Sequence, residues 1–187
     1  MDNLLVFNIK TNGYNSFDDE IKDVAFNYYH DDECINEFCF YFNSENSVLI
    51  ENKQIRLTID YQNEQYEEYL SNLEDVFFSF QDLSEEAIIV GYNIIRFGIP
   101  FLNKQFDYYG IDCNFKDNII QQYYFHDVLL WAKKFHKVLN LPIKDLSLKG
   151  ILEIYEISFN ESDLEDNLVC TKLIYQIYKK QREFGMY

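Results

Sequence analysis

The sequence predicts an α/β protein built on a mixed sheet, and three observations carry that reading. Short apolar runs of strand type fill the first sixty residues or so. A continuous apolar run at 87–92 suits a strand buried on both faces. From there onward strand-like and helix-like segments alternate, the pattern of a sheet flanked by helices. The chain of 187 residues has two prolines, Pro100 and Pro142, six glycines, and no repeat or low-complexity linker. It therefore reads as one domain over 1–187.

The elements follow in order. Leu4 to Ile9 reads as a buried strand. Val24 to Tyr29 and Phe38 to Phe42 read as two more, separated by the acidic turn Asp31-Asp32-Glu33. Val48 to Ile50 and Ile55 to Ile59 are shorter extended segments. From Glu64 to Phe80 the period becomes helical, with Tyr66, Leu70, Leu73, Phe77 and Phe80 at spacings of three and four. Ala87 to Tyr92 is the doubly buried strand, followed by a helix from about Gly98 or Ile99 to Tyr109. Tyr123 to His126 reads as a short last strand. Asp127 is placed to cap a helix carrying Leu129, Leu130 and Phe135, and Leu146 to Tyr155 is helical. Ser162-x-x-Glu165 has the form of a capping box opening a final helix, with Leu164, Leu168, Leu173, Ile174 and Ile177 on one face.

Composition narrows the function. Apolar residues make up 48% and aromatic residues 18%, so the chain has the material for a core. An AT-rich coding sequence explains the abundance of Phe and Tyr more simply than a stacking surface for bases. The net charge is −16 and uneven. Residues 1–125 hold 7 Lys/Arg against 23 Asp/Glu, whereas 126–187 hold 9 of each. Such an acidic half repels a phosphate backbone, which argues for weak nucleic-acid binding at most. The best basic candidates are Lys133, Lys134, Lys137, Lys179, Lys180 and Arg182, which also read as solvated helix faces. Cys34, Cys39, Cys113 and Cys170 lack zinc or redox spacing and read as reduced thiols. His30, His126 and His136 show no ligand spacing. With no basic-then-apolar start and no apolar stretch of membrane-spanning length, the expectation is an intracellular protein without a membrane span.

Three segments carry a resemblance. The first is Phe7-Asn8-Ile9-Lys10-Thr11-Asn12-Gly13. The second is Gly91-Tyr92-Asn93-Ile94-Ile95-Arg96-Phe97-Gly98-Ile99-Pro100-Phe101-Leu102. The third starts near Tyr124-Phe125-His126-Asp127, passes through Leu141-Pro142-Ile143-Lys144-Asp145-Leu146-Ser147-Leu148, and ends at Glu161-Ser162-Asp163-Leu164-Glu165-Asp166. In order and spacing they resemble the DEDD (DnaQ-like) 3′–5′ exonucleases, whose pattern is Asp-x-Glu-Thr-x-Gly, then Gly-His-Asn-x-x-Phe-Asp-x-x-Phe-Leu, then a histidine five residues before a final aspartate. The resemblance implies a ribonuclease H-like fold, a five-stranded mixed sheet flanked by helices. It also implies hydrolysis of a 3′-terminal phosphodiester by two divalent ions about 3.5–4 Å apart.

At the four ligand positions this chain has Asn8, Lys10, Gly98 and Asp166, and Glu161 stands where the histidine would be. Divalent cations require hard anionic oxygens, and an ammonium offers donors and no acceptor. No catalytic residue, metal or cofactor is therefore expected. The expected function is a pseudo-exonuclease serving as a structural or protein-interaction part of a nucleic-acid-processing or viral assembly, located in the cytoplasm, a virus particle or an infected cell. A noncatalytic nucleic-acid binder and an active exonuclease with relocated ligands are the alternatives. Lys10 is expected to approach Asp166, with Glu161 or Asp163 as further partners.

Overall fold

Alternation along the first strand sets the architecture. In β1 (Asn3–Thr11), Leu5, Phe7 and Ile9 point to one side of the sheet, and Leu4, Val6, Asn8 and Lys10 to the other. A computed structural model describes residues 3–15, 19–42, 50–51, 54–57, 73–79, 82, 87–108, 110–111, 125–139 and 145–185. The remaining strands are β2 (Ile21–His30), β3 (Glu33–Tyr41), β4 (Ile50–Glu51), β5 (Gln54–Leu57), β6 (Ala87–Gly91) and β7 (Phe125–Asp127). They form a mixed sheet in the order β4-β5-β3-β2-β1-β6-β7. The expected five-stranded mixed sheet corresponds to five consecutive strands of it, β3-β2-β1-β6-β7, and the short β5 and β4 continue it beyond β3. β1 runs antiparallel to β2 and parallel to β6, β2 is antiparallel to β3, and β6 is parallel to β7.

Five helices cover the sheet among the described residues: α1 (residues 73–79), α2 (Ile99–Tyr108), α3 (Val128–Leu139), α4 (Leu148–Ile154) and α5 (Asn167–Glu183). One face of the sheet packs Phe7, Phe26 and Ile89 against Leu73 and Val76 of α1 and Phe101 and Phe106 of α2. The other packs Leu4, Val6 and Val90 against Val128 of α3, Ile151 of α4 and Ile174 and Ile177 of α5. No helix among the described residues is long and apolar enough to cross a membrane.

The sequence expectations match these elements with identifiable exceptions. Asp31 and Asp32 alone make the β2–β3 turn, both at positive φ (49° and 68°), as a two-residue hairpin loop requires. Glu33 already belongs to β3. A π-helical turn, Ile94–Gly98, precedes α2. Asn93 adopts the left-handed conformation that asparagine tolerates, and its N–H donates to the Asp127 carboxylate. Asp127 caps α3 as expected, accepting from the N–H groups of Leu129 (3.0 Å) and Leu130 (3.3 Å). It also accepts from Ile95 N (3.2 Å), so one buried carboxylate joins the π-helical turn, with the Asn93 that precedes it, to α3.

The capping box at Ser162 and Glu165 is corrected. The reciprocal box is Asn160 with Asp163, and it opens a 3₁₀ turn, Glu161–Leu164. The last helix starts four residues later than that box implied, because the Asp166 carboxylate takes the N–H groups of Leu168 (2.9 Å) and Val169 (3.3 Å). Of the helix expected at Glu64–Phe80, residues 73–79 are described and helical. Tyr66, Leu70 and Phe80, with Val48, Ile59, Tyr109, Cys113, Tyr123, Tyr124 and Leu141 to Lys144, lie outside the described residues.

Candidate functional site

The end of β1 meets the start of α5, and three of the singled-out positions come together there. Asn8 is half-buried on the face of β1 that α5 covers. Its Nδ2 donates to Asn167 Oδ1 (2.6 Å), and Asn167 Nδ2 returns a bond to Asn8 O (3.2 Å). The two amides thus clasp strand to helix. Lys10 lies two residues on, on the same face. Its ammonium donates to the carbonyls of Leu164 (2.9 Å) and Glu165 (2.5 Å), at the end of the 3₁₀ turn. Carbonyls left unpaired at a helical C-terminus are a natural seat for a cation. Asp166 follows at once and caps α5.

The other two positions are elsewhere. Gly98 ends the π-helical turn on the opposite face of the sheet. A Cβ there would lie 3.1 Å from Phe7 Cε1 and 3.5 Å from both Ile9 Cγ2 and Ile94 Cγ2. A side chain at 98 would grow into the apolar layer, away from Asn8 and Lys10. Glu161 is exposed and accepts a hydrogen bond from the Lys149 ammonium.

The expected pairing of Lys10 with the carboxylates of the acidic segment is corrected to hydrogen bonds with its main chain. The hydrogen bonds of Lys10 go to the carbonyls before Asp166, because the carboxylates of that segment face other donors. Glu161 turns to Lys149, Asp163 to the N–H of Asn160, and Asp166 to the first turn of α5. The carboxyl that Lys10 confronts is Asp23, directly opposite it across the β1–β2 ladder. Burial pushes Asp23 up to about 6, with Lys10 and Asn167 pulling it down and Asp166 pushing it further up.

Asp23 and Asn167 are the residues that sequence reasoning missed. Asp23 is one acid among many until the strand register sets it against Lys10. Asn167 did carry a signal, since it places a short amide at the start of a helix whose buried side is mostly apolar.

The two-ion chemistry implied by the resemblance can be tested on these donors. The Asn8 amide is committed to Asn167, Lys10 contributes a cation, Gly98 has no side chain and faces the wrong layer, and Asp166 serves a helix. These residues do not fit a pair of divalent ions. Among the described residues, no group of three or more His, Cys, Asp or Glu is placed to hold a metal ion.

Several of the remaining candidates have structural partners, whereas neither ring nitrogen of the buried His136 has a hydrogen-bond partner among the described residues. His126 is buried, stacks on Trp131 at 5.5 Å, and donates from Nε2 to Gln181 Oε1 (2.7 Å). Gln181 is fixed in that sense because its Nε2 donates to Val128 O (2.8 Å) and Tyr155 Oη (3.1 Å). Burial holds the His126 imidazole below its ordinary pKa. Among the basic candidates, Lys179 pairs with Asp32 (3.2 Å) and Lys180 with Glu183 (3.4 Å). Lys134 sits over the Trp131 ring at 4.3 Å, and Arg182 over the Tyr178 ring at 5.8 Å. Cys34 is half-buried, and Cys39 and Cys170 are buried. In comparison with known proteins, no family model matches the chain and no curated protein is similar to it.

Proposed function

We propose that this chain is a 3′–5′ exonuclease-like domain of ribonuclease H-like type that carries out no catalysis. It serves as a structural or protein-interaction component of a nucleic-acid-processing or viral assembly, in the cytoplasm, a virus particle or an infected cell. The observation that carries this reading is the clasp between β1 and α5, in which Asn8, Lys10 and Asp166 satisfy internal hydrogen bonds instead of presenting anionic oxygens to a substrate. The mixed central sheet with helices on both faces agrees with the fold that the resemblance implies. The protein-interaction role rests on the general fact that a fold can outlive its chemistry.

Two measurements test it. Purified protein is incubated with labelled single-stranded DNA and RNA in Mg²⁺ or Mn²⁺, with thermal melting followed at the same metal concentrations. No digestion is expected, and no upward shift of the melting midpoint, because an ion bound only by the folded chain would raise it. Digestion that follows the protein through purification and disappears in Asp166→Ala overturns the reading. The second measurement is isolation from the native source after nuclease treatment. A protein retained at fixed stoichiometry supports the assembly role, whereas retention of nucleic acid alone favours a binder.

A further inference from the structure

We propose that Asp23, Lys10 and Asn167 form a proton-responsive latch between the ends of β1 and β2 and the turn entering α5, clamped when Asp23 is neutral and eased when it is ionised. The inference rests on geometry around one carboxyl and does not depend on the pseudo-exonuclease reading. Three chain segments meet at Asp23. Lys10 stands opposite it on β1, Asn167 donates to its main-chain oxygen (3.4 Å), and the 3₁₀ turn hands its last carbonyls to the Lys10 ammonium. One carboxyl oxygen of Asp23, Oδ1, is buried with no hydrogen-bond partner among the described residues. A carboxylate so placed loses its hydration without full replacement, while a neutral carboxyl loses much less.

The charged and titratable groups around Asp23 decide the balance. Lys10 from β1 and Lys22 from its own strand favour the anion, and the Asn167 amide adds to them. Asp166 at the start of α5 opposes it. Cys170 one turn later stays a neutral thiol, since burial pushes it up. β3 presents Tyr41 at the position paired with Asp23. Burial outweighs the rest and pushes Asp23 up from 3.8 to about 6.

Lys10 is the moving part. An ionised Asp23 competes for its ammonium with the carbonyls of Leu164 and Glu165, and it also favours openings that let water reach Oδ1. A neutral Asp23 leaves the ammonium to those carbonyls. The closed arrangement therefore holds the proton more tightly than the open one. Its stability grows as pH falls through about 6 and is fully present below the ordinary value of 3.8.

The test is amide hydrogen exchange of the full chain between pH 7.5 and 5, corrected for the intrinsic pH dependence of exchange. It is read at Leu168 and Val169, whose N–H groups donate to Asp166. Protection should rise about tenfold toward pH 5, which lies one unit below the closed-state value of about 6 and still above the ordinary value of 3.8. Asp23→Asn should be as protected at pH 7.5 as the native chain is at pH 5, with no further dependence. Asp166→Asn, which keeps a capping oxygen, should retain the native dependence. A flat native profile, or an unchanged slope in Asp23→Asn, overturns the proposal. If Asp23→Asn does not fold, the carboxyl-carbon NMR titration of Asp23 in the native chain decides it. A midpoint near 6 supports the latch, and one in the ordinary carboxylate range overturns it.

Discussion

Phe7 and Asn8 are neighbours on one strand, yet they belong to two different kinds of interior. The Phe7 side is filled with aliphatic and aromatic groups. Its ring is fully buried, stacked on Phe26 at 5.5 Å, with Gly98 pressed against its edge. On β1 itself the Asn8 side is apolar toward the start, at Leu4 and Val6. Toward the end it becomes a set of amides, an ammonium and a carboxyl, closed by the first turn of α5. The apolar layer tolerates substitutions best when volume and apolar character are kept, whereas the polar junction holds only while each donor meets its acceptor. Substitutions should therefore fail differently on the two sides.

The largest effect is expected from Phe7→Ala. It removes a fully buried ring from the centre of the sheet and should cost about 3–5 kcal/mol in denaturant unfolding, with the hydrogen bonds of the α5 junction left in place. A loss below about 1 kcal/mol would mean that this layer is not the rigid half. Next comes Gly98→Asp, which restores the acid of the resembled pattern at its sequence position. Its carboxyl would enter the space among Phe7, Ile9 and Ile94. It should destabilise by roughly 2–4 kcal/mol and give no metal-dependent rise in melting temperature. Such a rise would place residue 98 on the Asn8 side and remove the contrast between the faces. The smallest is Lys10→Ala, at about 1–3 kcal/mol, mostly from stranding the carbonyls of Leu164 and Glu165 and the Asp23 carboxyl. A double-mutant cycle with Asp23→Asn should show coupling well above error. Additive effects would mean that Lys10 and Asp23 act separately.

How much of this was legible depends on whether a feature is local. Strand periodicity marked β1, β2 and β6 within a few residues, and the Asp127 cap was visible because a helix start carries its own chemistry. The true start of α5 was misplaced because Ser162-x-x-Glu165 and Asn160-x-x-Asp163 overlap in one acidic stretch. Only the backbone decides which of them closes. The departures at Asn8, Lys10 and Gly98 were plain from residue types alone, and so was their misfit to divalent ions. That Gly98 faces the other layer was hidden, since a motif gives order along the chain and no side of a sheet. Asp23 was hidden for the same reason. Its meaning comes from the register that sets it against Lys10, shifted by a bulge just beyond that pair.

The clasp has a kinetic consequence as well. Asn8 and Asn167 are 159 residues apart in sequence, so the contact closes a loop of nearly the whole chain. β1, β2 and β3 are joined by short connections and can pair as soon as they exist, whereas α5 is made well after them during synthesis. Until it arrives, the end of β1 shows water an amide and an ammonium, groups that hydrate readily and recruit no apolar neighbour. A nascent sheet awaiting its final helix is thus least adhesive at the place left open longest.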